Sequence, residues 1–528
     1  MPSVEAVNQS DDGLHRHTSP DALDSQSKLP HSVTHGMRSA SNSWFPMGMR
    51  EGWSQWWRKA PAAAAEHKVL SCIPYLREAP TQRQTGNAAS APNSPTATDS
   101  LQTADPTQSG DEAINSNDDP YGPRRWRSRM VELSGKNRAL NEFSVERLNE
   151  TVDQNLVILH GYGAGLGFFY KNFEPLSRAK GWQLYALDML GMGRSTRPPF
   201  KIKATDRQEA ITEAENWFID ALEEWRVKRK IDRFTLMGHS MGGYLATAYA
   251  LKYPGRLNKL ILVSPVGVPE NPYAVNEAMP APSESTTGGN DNGSSLNGRQ
   301  PDSAGPPRPR LGRFITYLWD ANVSPFSFIR WSGPLGPRLV SGWTSRRFAH
   351  LPADEAAALH DYTYSIFRLR GSGEYALTYL LAPGAFARSP LINRIQGLGR
   401  QVIRPNSPAA MPHSSSNSTP GIPTPSAGLP NEARSQNENG MPVVFMYGDH
   451  DWMDVAGGFA AKEKLDEAKR QALKNATAEQ RQADNGSAKV IIIKNAGHHL
   501  YLEGDKEFNK IVLEEMEDVR RREAKRQS

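Results

Sequence analysis

The sequence predicts an α/β fold: a mostly parallel sheet with helices on both faces and a helical cap. Three observations in the 528-residue chain predict it. Short apolar runs alternate with segments of helical periodicity. One junction between such a run and a helix is compressed into the five residues Gly238–Gly242. Between Val266 and Met441 the alternation stops, and helical pieces rich in Trp, Phe and Leu take its place.

The first strand, Val152–Leu159, ends in LVIL and runs into HGYGAG. A continuous apolar run followed by a glycine-rich loop is the pattern of a parallel strand buried on both faces. Trp182–Leu187 is the second strand, ending at Asp188 and the turn LGMGRS. Glu213–Lys228 then carries Trp217, Phe218, Ala221, Leu222 and Trp225 at helical spacing. Phe234–Met237 reads as a short strand, Gly243–Lys252 as a helix and Leu257–Val263 as another buried strand. Pro442–Tyr447 and Lys489–Ile493 are two further strands, and Lys506–Val519 is a closing amphipathic helix. The cap helices are read at Leu311–Trp319 and Ala353–Leu381. Trp319, Phe326, Phe328, Trp331, Trp343 and Phe348 either line a pocket for an acyl chain at the carboxyl ends of the strands or form the core of the cap itself.

Much of the remaining chain is too polar to offset its conformational entropy. The organisation expected is a disordered or targeting stretch at 1–43, a tryptophan-rich segment at 44–80 and a linker at 81–123. The first part of the core follows at 124–268, then the cap at 269–440 with disordered insertions at 283–309 and 404–440. The second part of the core is 441–519, and 520–528 is a basic tail. A net charge of +5 is too mild to demand a nucleic-acid partner, and no nucleic-acid motif is present. Arg124, Arg125, Arg127 and Arg129, like the tail arginines, are expected to be solvated charge or contacts to anionic lipid. The single cysteine, Cys72, excludes an intramolecular disulfide and points to a reducing or organellar compartment. No apolar run approaches the roughly 20 residues of a spanning helix. The Arg-, Lys- and Ser-rich stretch Pro30–Pro61 leans toward mitochondrial targeting, with a cytoplasmic or lipid-droplet location as the alternative.

Gly238-His239-Ser240-Met241-Gly242 fits G-x-S-x-G, in which small residues let a serine sit on a strained strand-to-helix turn. Serine needs a base to take its proton, and the base needs a carboxylate to orient it. His498, after the strand VIII and the turn Asn-Ala-Gly, is the base expected; its neighbour His499 is read as packing. Asp451, three residues after Gly448, is the expected acid, with Asp454 as the alternative. Backbone N–H groups of Met241 and of Tyr162 in HGYGAG are the expected oxyanion donors. His160 and Asp188 are read as ties between turns. Nothing calls for a metal or a cofactor.

At these motifs the chain resembles the α/β-hydrolase subfamily that includes the animal adipose lipase co-activator and N-acyl phosphatidylethanolamine lipase. The segments HGYGAGLGFFYKNFEPL, LDMLGMGRSTRPPF, GHSMGGYLATAYALKYPGRLNKLILVSPVGVPE, YGDHDWMD and AGHHLYLEGDKEFN are most similar to its fungal mitochondrial cardiolipin-specific phospholipases and lysophosphatidic acid acyltransferase relatives. The resemblance implies an α/β-hydrolase fold and phospholipid deacylation, with cardiolipin as leading substrate. Ser240 separates the chain from the co-activator, which carries asparagine there. The implied alternatives are acyl transfer to a lysophospholipid and non-catalytic regulation of a separate lipase. The family's acyltransferase motif places an aspartate after His and four residues; here His498 is followed at that spacing by Glu503. Trp44, Trp53, Trp56 and Trp57 resemble the family's tryptophan-rich membrane anchor, and Arg50, Arg58 and Lys59 beside them suit an anionic membrane surface. Protein partners are not indicated.

Overall fold

LNKLILV and PVVFMYG lie side by side and are buried along their whole length, including Asn258 and Lys259. They belong to an eight-stranded sheet in a computed structural model that describes residues 45–76, 119–270, 319, 321–403 and 436–527. The strands are β1 (Arg124–Glu132), β2 (Ala139–Arg147), β3 (Gln154–Leu159), β4 (Trp182–Leu187), β5 (Phe234–His239), β6 (Leu257–Val263), β7 (Pro442–Gly448) and β8 (Ser487–Ile493). Their order across the sheet is β1-β2-β4-β3-β5-β6-β7-β8. β2 alone runs against its neighbours, so the sheet is mostly parallel, as the sequence predicts. Trp44, the insertion tract 283–309, residues 311–318 of the expected cap helix and most of 404–440 lie outside the described residues.

Side chains alternate across the sheet with period two. Val157 and Leu159 of β3 face a core shared with α3 (Arg207–Lys228) and α4 (Met241–Lys252), whereas Leu156 and Ile158 face the opposite one. The second core also takes in α2 (Ala62–Leu70) and α9 (Asp505–Gln527). The cap contributes α5 (Pro325–Trp331), α6 (Gly336–Arg347) and α7 (Ala353–Phe367); α1 (Met49–Arg58) and α8 (Val455–Leu473) complete the principal helices. Trp225 is fully buried in the first core, with its indole N–H donating to Glu142 at 2.8 Å. A tryptophan so placed is worth about 3–5 kcal/mol against truncation.

Three expectations are corrected here. Arg124 is not solvated charge: it is fully buried in β1, paired with Asp119 at 2.7 Å and Glu174 at 3.0 Å. The tail is no separate element, because α9 continues to Gln527 and pairs Arg520, Arg521, Arg522 and Arg526 with acids one turn earlier. The tryptophan-rich stretch 44–80, expected as a membrane-associating segment, also enters the core. Ala65, Val69, Leu70, Ile73 and Leu76 are core residues, while Trp53 and Trp57 remain exposed on α1 and Trp56 is half-buried.

Glu66 ties α2 to the sheet. Fully buried, it accepts from Arg194 at 2.6 Å and from the amide of Asn141 at 3.0 Å. Burial, opposed by Arg194 and reinforced by the charge of Asp188, pushes its carboxyl pKa up to about 7. A raised folded-state value means that the native state holds more protons than the unfolded chain between about 4.5 and 7. The stabilisation is therefore complete below that window and is lost as pH rises through it, by roughly 1 kcal/mol per pH unit. Glu66→Gln is expected to flatten this fall. Urea unfolding of wild type and variant at pH 5 and pH 8 checks it, and an unchanged difference between the two pH values would refute it.

Candidate active site

The sheet reverses its strand order around β3, whose chain neighbours lie on opposite sides of it as β4 and β5. A crevice opens at the carboxyl ends of strands at such a point, and ligands bind there. The loops that follow β3, β5, β6, β7 and β8 in this chain carry His160–Tyr162, Ser240, Ser264, Asp451 and His498 in turn.

Ser240 sits between β5 and α4 with φ 53° and ψ −118°, a left-handed conformation that is rare for a non-glycine residue. The turn closes only because its neighbours lack side chains. A Cβ on Gly242 would lie 2.5 Å from the carbonyl oxygen of His160, and one on Gly161 would lie 3.0 Å from Ser240 Cβ. This close approach brings the Gly161–Tyr162 peptide beside the serine. Met241 opens α4, so its N–H is among those for which a helix offers no internal acceptor. Of the two expected oxyanion donors, Met241 follows Ser240 directly in the chain, and Tyr162 follows the glycine that packs against Ser240.

His498 Nε2 lies 3.1 Å from Ser240 Oγ, and His498 Nδ1 lies 3.2 Å from Asp451 Oδ1. Asp451 Oδ1 also accepts from the Met453 N–H at 3.0 Å. Burial works to raise the Asp451 pKa. The bond and charge of His498, the Ser264 hydroxyl and the Met453 N–H outweigh it and hold the carboxyl below the usual carboxylate range. The alternative acid, Asp454, is exposed and precedes α8, without contact to His498. Of the two carboxylates, Asp451 is the one whose oxygen lies within reach of the imidazole.

Glu503 does not reach the imidazole. Its carboxylate accepts from the Gly497 N–H and so braces the loop that presents His498. His499 is buried against Phe168, and burial drives its pKa well down, as it does for His239. His160 Nε2 accepts from the Met189 N–H at 3.0 Å, and Asp188 accepts from the N–H groups of Leu166 and Arg194, each at 2.7 Å. Both are ties between turns, as expected.

Two neighbours of His498 escape the sequence reading. The Ser264 hydroxyl donates to Asp451 Oδ2 and stands 2.7 Å from His498 Nδ1. Trp452, over half exposed, places its ring 4.9 Å from the imidazole. A signal for Ser264 existed, since it follows directly on β6, beside the strand that carries the elbow.

The cap aromatics divide by role. Phe326 stacks on Tyr162 at 5.1 Å and on Phe367 at 4.2 Å, so it stands over the oxyanion loop. Phe348 is core, whereas Phe328 and Trp331 are exposed. A single pocket lined by all six is therefore not what forms. Among the described residues no cluster of acidic, histidine and cysteine side chains is arranged to hold a metal, and no helix is long and apolar enough to cross a membrane.

A family model described as the alpha/beta hydrolase fold matches residues 154–310. The 1-acylglycerol-3-phosphate O-acyltransferase of Arabidopsis thaliana is 30% identical over 364 residues, covering 68% of this chain and 65% of that one. The mouse 1-acylglycerol-3-phosphate O-acyltransferase ABHD5 is 32% identical over 279 residues, 52% of this chain and 68% of its own. The 1-acylglycerol-3-phosphate O-acyltransferase ICT1 of Saccharomyces cerevisiae is 26% identical over 388 residues, 67% and 79%. The chain spans about two thirds of the length of the Arabidopsis and mouse relatives.

Proposed function

Because this chain belongs to the α/β-hydrolase family, we propose that it is a membrane-associated phospholipid acyl hydrolase with Ser240 as nucleophile, His498 as base and Asp451 as orienting acid. The observation that carries the reading is the unbroken chain Ser240 Oγ, His498 Nε2, His498 Nδ1, Asp451 Oδ1, with links of 3.1 and 3.2 Å. His498 takes the Ser240 proton as Oγ attacks the ester carbonyl of a phospholipid. The N–H groups of Met241 and Tyr162 stabilise the oxyanion. His498 then protonates the departing glycerol oxygen, leaving an acyl-enzyme, and water activated by the same imidazole releases the fatty acid. Cardiolipin is the proposed substrate and a mitochondrial membrane the proposed location. Trp53 and Trp57 on α1, exposed 55% and 70%, with Arg50, Arg58 and Lys59 nearby, support peripheral contact with an anionic surface.

A second reading is favoured by the names of the relatives: a lysophosphatidic acid hydroxyl, in place of water, resolves the acyl-enzyme. One experiment separates the two. The purified chain is given cardiolipin or phosphatidylcholine vesicles labelled in the acyl chains, with and without lysophosphatidic acid. Labelled fatty acid from cardiolipin is the expected result. Label recovered in phosphatidic acid assigns the transferase reading, and release of neither product from any lipid would overturn both.

A further inference from the structure

Ser264 is fully buried and occupies a left-handed conformation, φ 47°, at the end of β6. Its backbone N–H donates to the Met446 carbonyl at 2.7 Å, which fixes the residue between β6 and β7. Backbone strain of this kind, held in place by its surroundings next to reacting groups, calls for a reason.

Counting protons supplies one. The Ser264 hydroxyl has a single hydrogen, and it is donated to Asp451 Oδ2. Asp451, held ionised by its neighbours, can only accept. Ser264 Oγ therefore has only lone pairs left for His498 Nδ1, 2.7 Å away, and that nitrogen must carry the hydrogen. The Nδ1–H is shared between two acceptors, and Ser264 Oγ is nearer than Asp451 Oδ1 at 3.2 Å. With the proton fixed on Nδ1, Nε2 presents its lone pair to Ser240.

We infer that Ser264 is a positioning residue for the proposed reaction: it relays Asp451 to His498, fixes the Nδ1–H tautomer and supports the imidazolium formed during acyl transfer. It touches neither substrate nor Ser240 and acts through His498. The inference rests on the proposed triad, but not on the identity of the lipid.

The test uses Ser264→Ala and Ser264→Gly in the full chain; glycine relieves the left-handed backbone and keeps the turn should alanine fail to fold. With a p-nitrophenyl acyl ester, kcat is expected to fall about 10- to 100-fold with KM unchanged, the scale of one hydrogen bond to a charged group. The acid limb of the kcat/KM profile moves to lower pH, because the imidazolium loses the nearer of its two acceptors. In ¹⁵N-histidine spectra, with His498 assigned by the His498→Gln variant, the Nδ1–H form dominates in wild type and gives way to a tautomer mixture in both variants. Wild-type kcat, pH profile and tautomer in a folded variant would overturn the role. Loss of these features together with no hydrolysis of phospholipid by wild type would leave Ser264 in place and remove the lipid reading instead.

Discussion

Replacing Ser240 with alanine is expected to lower ester turnover by about 10⁶-fold, the size of effect seen when a triad nucleophile is removed. The backbone at this position stays anchored without the hydroxyl. The Ser240 N–H donates to Val263 at 2.9 Å, and its carbonyl accepts from Gly243, Tyr244 and Val266. Only the side-chain bond to His498 is lost. The variant should therefore unfold at the wild-type temperature, bind cardiolipin vesicles as wild type does and resist labelling by a fluorophosphonate. Fatty-acid release measured beside the labelling decides the matter: a variant within tenfold of wild type would mean that Ser240 is not the nucleophile. Wild type that is itself inert and unlabelled but binds vesicles would bring the non-catalytic regulator forward.

The parallel strands were legible because burial on both faces leaves an uninterrupted apolar run, and β4 and β6 fall where the sequence puts them. β1 and β2 were not. The buried face of β1 is Arg124, Trp126 and Ser128, and β2 buries Asn141 and Glu142. Their polarity is satisfied by residues distant in sequence: Glu174 for Arg124, Glu66 and Asp188 for Asn141, Arg229 and Trp225 for Glu142. A buried ion pair looks like surface charge until its partner is known. The same blindness made Arg124 read as solvated charge or a lipid contact.

Local chemistry was more legible than long-range contacts at the site. The elbow announces itself through its glycines, and His498 and Asp451 through their distances from a strand end. Ser264 also stands at a strand end, but its meaning comes from two loops about 190 and 230 residues away. Glu503 shows the converse. Its spacing from His498 suggests chemistry, yet its carboxylate is spent on the Gly497 N–H. Motif spacing fixes where a residue stands along the chain, and only the completed fold determines what remains free to react.

The pair Asp451→Asn and Asp454→Asn tests that distinction. Asp451→Asn is expected to lower kcat by about 10⁴-fold, whereas Asp454→Asn should stay within about twofold of wild type. Asp451 is surrounded by donors: the Met453 N–H and His498 Nδ1–H meet Oδ1, and the Ser264 hydroxyl meets Oδ2. An asparagine presents an NH₂ group to one side of this ring. If it faces Ser264, that hydroxyl must turn toward His498, withdraw its acceptor and favour the Nε2–H tautomer, which cannot take the Ser240 proton. If it faces Met453 and His498, two donors meet a donor. Either way the imidazolium also loses its counter-charge. Asp454 has no such ring of donors and no contact with His498, so its amide disturbs none of this. Acid denaturation adds an independent reading: the folded-state pKa of Asp451 is depressed, so its contribution to stability holds above the unfolded value and disappears as pH falls through the folded one. Wild type should lose stability in acid more steeply than Asp451→Asn. A larger kcat loss at Asp454 would move the acid to that carboxylate, and equal losses in the two variants would refute the assignment of Asp451 as the sole orienting acid.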